Sequence, residues 1–94
     1  MQIKWLRSAF NDLKSIADYI VLDNPTAALA MIDTIERMTD GLAEHPKRGR
    51  DGRLPGTREL VIPGTAYISV YRFKPDCVEI LRVLHSAQNW PPIE

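Results

Sequence analysis

The stretch Val78-Glu79-Ile80-Leu81-Arg82-Val83-Leu84-His85 limits the fold more than any other part of the chain. A short apolar run rich in Val, Ile and Leu reads as a strand buried on both faces, hence a central one. Two polar side chains interrupt it. Arg82 and His85 are three residues apart, so a regular strand sends them to opposite faces. A bulge would bring them to one side. A guanidinium in a central strand is costly unless it is paired or faces a wet groove. Arg82 and His85 are therefore the first candidates for function.

The rest of the chain supplies what such a strand needs. Ile3 and Trp5 suggest a short first strand. Ser8 can cap a helix, with Asp12 in its first turn, and Ala9, Phe10, Leu13, Ile16, Ala17 and Ile20 form one apolar stripe. Asn24-Pro25 restarts the chain as a cap followed by proline at the first helical position. Ala28, Met31, Ile32, Ile35, Met38 and Leu42 make the second stripe, with Gly41 weakening its last turn and Pro46 ending it. Helices joined so closely fold back as an antiparallel hairpin, and their stripes need a sheet to cover. Residues 45–56 hold three glycines and two prolines and read as a loop without regular structure. Strands are expected over 57–62 and 65–73, turning at Pro63-Gly64 and Lys74-Pro75-Asp76 into the central strand. The expected architecture is one α+β domain over residues 1–94. It has the order β-α-α-β-β-β, an antiparallel sheet and a two-helix hairpin on one face.

Composition excludes several function classes. Twelve basic residues balance twelve acidic ones, so the chain has no global grip on nucleic acid. Its basic residues are unevenly placed: Lys47, Arg48, Arg50, Arg53 and Arg58 face a single local acid, Asp51. One cysteine, Cys77, leaves no internal disulfide and suits a reducing compartment. No apolar run approaches a membrane span, and the first residues lack a signal-peptide pattern. A cytoplasmic protein with no membrane contact is expected. No metal-spacing motif and no phosphate-cradling glycine loop are present, so no metal and no cofactor are expected.

An ordered set of residues then carries a family resemblance: Asp12-Leu13, Ile16, Tyr19-Ile20, Asn24-Pro25 and Ala27-Ala28, then Pro46 with Gly49-Arg50. It continues through Gly56-Thr57-Arg58-Glu59-Leu60-Val61-Ile62, Tyr67 with Tyr71-Arg72, and Ile80 to His85 followed by Gln88 and Trp90-Pro91. Over nearly its whole length the chain resembles the RelE/ParE superfamily of bacterial toxins. The resemblance implies the toxin of a type II toxin–antitoxin system, silenced by a cognate antitoxin encoded beside it. Operator DNA would be met only through that antitoxin. It also implies one of two targets. ParE-like members poison DNA gyrase and are not nucleases; RelE-like members cleave messenger RNA on the ribosome. The helical hairpin looks ParE-like, whereas His85 resembles the C-terminal histidine of RNA-cleaving relatives. A decayed member that keeps only antitoxin binding and repressor duty is a third alternative.

Metal-free RNA cleavage requires cations for the phosphorane and groups that move protons. Arg58, Arg72 and Arg82 lie on three consecutive expected strands and could converge on one face. By resemblance, Arg58 and Arg82 would hold the scissile phosphate and His85 would act as acid or base. The bland alternative has these arginines paired with Glu59 and Glu79 and His85 satisfied at a strand end. Lys47, Arg48, Arg50, Arg53, Arg72 and Trp90 are the candidate contacts to a target or to the antitoxin. No tyrosine follows His85, and the chain is neutral. Both features favour gyrase contact over ribosomal cleavage. Tyr67 and Tyr71 share a face and read as core.

Overall fold

The computed structural model describes residues 1–88, so Trp90 lies outside the described residues. Strand β1 (Gln2–Trp5) leads into helix α1 (Arg7–Val21), and helix α2 (Pro25–Asp40) returns antiparallel to it. A 3-10 turn follows at Gly41–Ala43. Then come strands β2 (Arg50–Asp51), β3 (Arg58–Val61), β4 (Tyr67–Phe73) and β5 (Cys77–His85). The strands form one sheet in the order β1-β5-β4-β3-β2. The expected strand over the Val78–His85 run is β5, and it lies between two neighbours.

Two features of the sheet differ from expectation. The sheet is mixed, because β1 pairs parallel with β5 while the other three pairings are antiparallel. A parallel neighbour needs a long crossover, and here both helices lie between the two strands. The loop also contains regular structure: Arg50 and Asp51 pair with Glu59 and Arg58. Glycine and proline confine that strand to two residues without preventing it.

The helix boundaries follow local chemistry. Asn24 caps α2 by accepting from the Ala27 N–H at 3.1 Å, with Pro25 at the first helical position. Gly41 ends α2, and the chain tightens into the 3-10 turn that buries Leu42. The start of α1 corrects the expected cap. Leu6 is the capping residue and makes no side-chain capping bond, and the first turn holds no acid. Ser8 instead donates to the Leu81 carbonyl at 2.6 Å. Asp12 Oδ2 accepts from the Val83 N–H at 2.9 Å. Strand β1 stops pairing at Ile80. Beyond that point α1 satisfies the β5 edge with side chains four residues apart, which share a helix face.

The core lies between hairpin and sheet. Ala9, Leu13, Ile16, Ile35 and Leu42 meet Leu60, Ile62, Tyr71, Val78, Ile80 and Val83. Within it Thr39 on α2 and Ser69 on β4 share a buried hydrogen bond of 2.8 Å. The expected turn between β3 and β4 forms with Gly64 at φ 76°, a conformation glycine adopts without steric cost. No helix among the described residues is long and apolar enough to cross a membrane.

Candidate functional site

Each of the three strand arginines, Arg58, Arg72 and Arg82, has a carboxylate within 3.8 Å. Arg82 closes on Asp12 through two bonds, Nε to Oδ2 at 2.7 Å and Nη2 to Oδ1 at 3.0 Å. That hydrogen-bonded carboxylate pushes the Arg82 pKa above its ordinary value, against the opposing effect of burial. Arg72 Nε donates to Glu79 Oε1 at 2.7 Å, and Lys74 Nζ lies 3.5 Å from Glu79 Oε2. The Arg72 hydrogen bond, offset in part by desolvation and assisted by Lys74, holds the Glu79 carboxyl below the usual range. Arg58 Nη1 donates to the Gly49 carbonyl at 2.7 Å and lies 3.8 Å from Asp51. Its guanidinium sits 5.9 Å from the centre of the Phe73 ring.

The sheet register decides what these groups share. Residues paired across a sheet point to the same face. Val70 pairs with Arg82, Arg72 with Glu79, and Arg58 with Tyr71. Tyr71 belongs to the core face, so Arg58 emerges on the helix side while Arg72 and Arg82 belong to the opposite side. A bulge is present in β5: Val70 and Tyr71 are adjacent, yet their partners are Arg82 and Ile80. It precedes Arg82, and pairing is regular from Arg82 to His85. Arg82 and His85 therefore point to opposite faces. His85 is exposed, meets Tyr67 edge-on at 5.6 Å, and accepts the Ala87 N–H on Nδ1 at 3.1 Å.

The basic loop is organised by a buried carboxylate. Glu59 is 2% exposed. Its Oε1 takes Arg50 Nη2 at 3.2 Å, and its Oε2 takes the Arg53 N–H at 3.0 Å with the Arg53 guanidinium at 3.6 Å. Of the two acids expected as arginine partners, Glu79 does hold Arg72, whereas Glu59 holds the loop arginines. Lys47 and Arg48 are exposed beside His45 and Pro46. Tyr71 pins the same loop from below: its hydroxyl donates to the Pro46 carbonyl at 2.7 Å and accepts the Gly49 N–H at 2.9 Å. Burial pushes its phenol pKa up. Asp12 is the site residue that sequence reasoning placed wrongly. Its spacing to Ser8 was the available signal, since two hydrogen-bonding side chains on one turn can serve a strand edge.

Two clefts complete the surface. One of about 450 Å³ lies among Asp51, Leu54, Pro55, Arg58, Arg72 and Phe73. Another, about 430 Å³ and predominantly apolar, lies between the helices at Ala17, Val21, Pro25, Ala28, Leu29 and Ile32.

Comparison with known proteins places this architecture. Residues 3–90 match the family model described as the ParE toxin of the type II toxin–antitoxin system parDE. The chain belongs to the ParE toxin family, within the RelE/ParE superfamily. A putative toxin of Sinorhizobium fredii, Y4kP, is 44% identical, covering 98% of this chain and 95% of that protein. Toxin RelE2 of Caulobacter vibrioides is 34% identical, covering 93% of this chain and 97% of that one. A solved structure of a chromosomal ParDE toxin–antitoxin system from P. aeruginosa superposes with a TM-score of 0.83 at 32% identity. It covers 90% of this chain and 95% of its counterpart. For this ParE-family chain, toxin of a type II system is the function class; the arginine pairings above bear on its target.

Proposed function

We propose that this toxin inhibits growth by protein contact with DNA gyrase and is silenced in the cytoplasm by a cognate antitoxin. The observation that carries the reading is the placement of the nuclease candidates. Arg82 is closed on Asp12 and faces away from His85, and Arg58 lies across the sheet from Arg82. Phosphoryl-transfer chemistry needs its cations and proton-transfer groups around one atom. Freeing Arg82 for a phosphate would also break both of its hydrogen bonds to Asp12. Contact chemistry makes no such demand. The basic loop, preformed on Glu59 and Tyr71, is a rigid surface for an acidic partner.

The antitoxin reading rests on exposed apolar surface. Tyr19, Leu22 and Leu29 are each more than two-thirds exposed near the hairpin tip, beside the apolar interhelical cleft. A segment ordering on that surface would bury it. Operator DNA would then be contacted through the antitoxin alone.

Purified toxin added to gyrase and relaxed plasmid should block supercoiling or trap cleaved plasmid, and added antitoxin should reverse it. The same toxin in a translating extract should leave messenger intact. Messenger cut at codon boundaries with gyrase unaffected would replace this reading with the ribosomal one. Normal growth of cells expressing the toxin alone would favour a repressor role.

A further inference from the structure

The cleft beside β3 has an arrangement that the family assignment does not explain. Arg58, from the helix side of the sheet, and Arg72, from the opposite side and already bonded to Glu79, both reach its lining, together with the acid Asp51 and the apolar Leu54, Pro55 and Phe73. The charges differ in how firmly they are held. Arg58 is pinned: its side chain is 27% exposed, Nη1 is bonded to the Gly49 carbonyl, and the Phe73 ring lies beneath it. Its acid is not pinned. Asp51 has a side chain that is 98% exposed and approaches no closer than 3.8 Å. An exposed pair of that length is worth little and is readily exchanged for another carboxylate. The fixed fork of Arg58 is a preorganised receptor, and Asp51 is the anion that occupies it in the isolated chain.

We infer that this cleft anchors a glutamate or aspartate side chain of the toxin's protein target, which displaces Asp51 from Arg58 and draws on Arg72 for a second contact. The inference rests on the proposed action by protein contact and names the chemistry of that contact. The apolar walls suit the methylene stem of an acidic side chain while its carboxylate meets the guanidiniums. Nucleic acid fits less well. Asp51 offsets one guanidinium and Glu79 is bonded to the other, so displacing Asp51 leaves a place for a single carboxylate and not for a run of phosphates. Phe73, the one ring among the described residues lining the cleft, packs against the core and has Arg58 5.9 Å from its centre, which leaves it poorly placed to stack on a base. Antitoxin is the less suitable source, because the predominantly apolar hairpin cleft matches a different kind of segment.

Asp51→Asn and Arg72→Gln test this on exposed side chains, with thermal unfolding confirming that both variants fold. The probes are acetyl-Ala-Glu-Glu-Ala-amide, its Gln-Gln counterpart and a single-stranded RNA hexamer, each titrated while the amide resonances of Gly52, Gly56, Thr57 and Phe73 are followed. The glutamate peptide alone should shift these resonances. Asp51→Asn should tighten it about twofold to fivefold by removing the internal competitor. Arg72→Gln should weaken it about tenfold and weaken gyrase inhibition in parallel. No shift with the peptide, tighter binding of the hexamer, or an unchanged affinity in Asp51→Asn would overturn the assignment. So would an Arg72→Gln defect confined to antitoxin capture. Peptide binding by a toxin that leaves gyrase untouched would uphold the cleft as a carboxylate receptor and refute the gyrase reading instead. The reverse result would refute the cleft alone.

Discussion

Tyr71 shows how much one hydroxyl can hold in a small domain. It is fully buried, and its oxygen serves both the Pro46 carbonyl and the Gly49 N–H. Tyr71→Phe keeps the ring and strands both backbone groups, so the unfolding free energy in urea should fall by about 2–3 kcal/mol. The alkaline limb should change with it. Because the folded phenol pKa is raised above 10.0, the unfolded chain loses its proton first as pH climbs. The associated stability is intact below pH 10.0 and is lost as pH rises toward the folded pKa. Tyr71→Phe should abolish that decline in a series of urea melts. Gly49 is required by the same contact. A Cβ there would lie 2.6 Å from the Tyr71 oxygen, 2.7 Å from its Cε1 and 3.0 Å from the Glu59 carbonyl. Gly49→Ala should therefore cost about 1–3 kcal/mol. Combining it with Tyr71→Phe should not restore stability, since the ring carbon still collides; a melt of the double variant checks this.

At the scale of elements, the two apolar stripes, the Asn24-Pro25 restart, the turns and the central strand were legible, except that Phe10, read into the first stripe, is 55% exposed. Each rests on periodicity or on one residue with a strong backbone preference. Direction and edge were not legible. Nothing within Gln2–Trp5 specifies that it runs parallel to β5, because pairing direction is set by where the intervening chain delivers the strand. Asp12 misled for a similar reason. Near a helix start its charge suits the dipole, yet the stronger demand came from an unpaired N–H far along the chain, at Val83. That demand yields a prediction for the α1–β5 contact. Asp12→Ala removes the acceptor of Val83 and both bonds from Arg82, and should cost about 2–4 kcal/mol. Asp12→Asn keeps a hydrogen-bond acceptor for Val83 while losing the charge, and should cost roughly half as much. Chemical denaturation of the two variants separates the edge-capping share from the ion-pair share.

At the scale of the molecule, charge and order are unevenly distributed in ways that composition conceals. Seven of the twelve acids lie in the first 44 residues, which hold the hairpin, while the basic loop follows in the second half. A neutral total therefore coexists with a locally basic loop. The candidate site was legible as a set of residue types, because arginines between Lys47 and Arg82 stand out in any count. Its geometry was not legible. Which carboxylate takes which guanidinium depends on register, and the β5 bulge between Ile80 and Arg82 changes strand parity without leaving a mark in the sequence. The same register predicts how the molecule opens. Strand β5 is enclosed by β1 and β4 and carries Val78, Ile80 and Val83 into the core, whereas β2 has two residues and pairs only with β3. Local opening of β2 exposes little apolar surface, but opening β4 or β5 dismantles the core itself. Amide hydrogen exchange should place Val70, Tyr71, Ile80 and Val83 in the slowest class, exchanging only by global unfolding, with Arg50 and Asp51 orders of magnitude faster. Glu59→Gln tests what fixes that loop. It removes the charge that holds Arg50 and Arg53, so loop exchange should accelerate while the β5 amides keep their rank. If the core amides accelerated equally, Glu59 would be a determinant of global stability rather than the local tether its contacts describe.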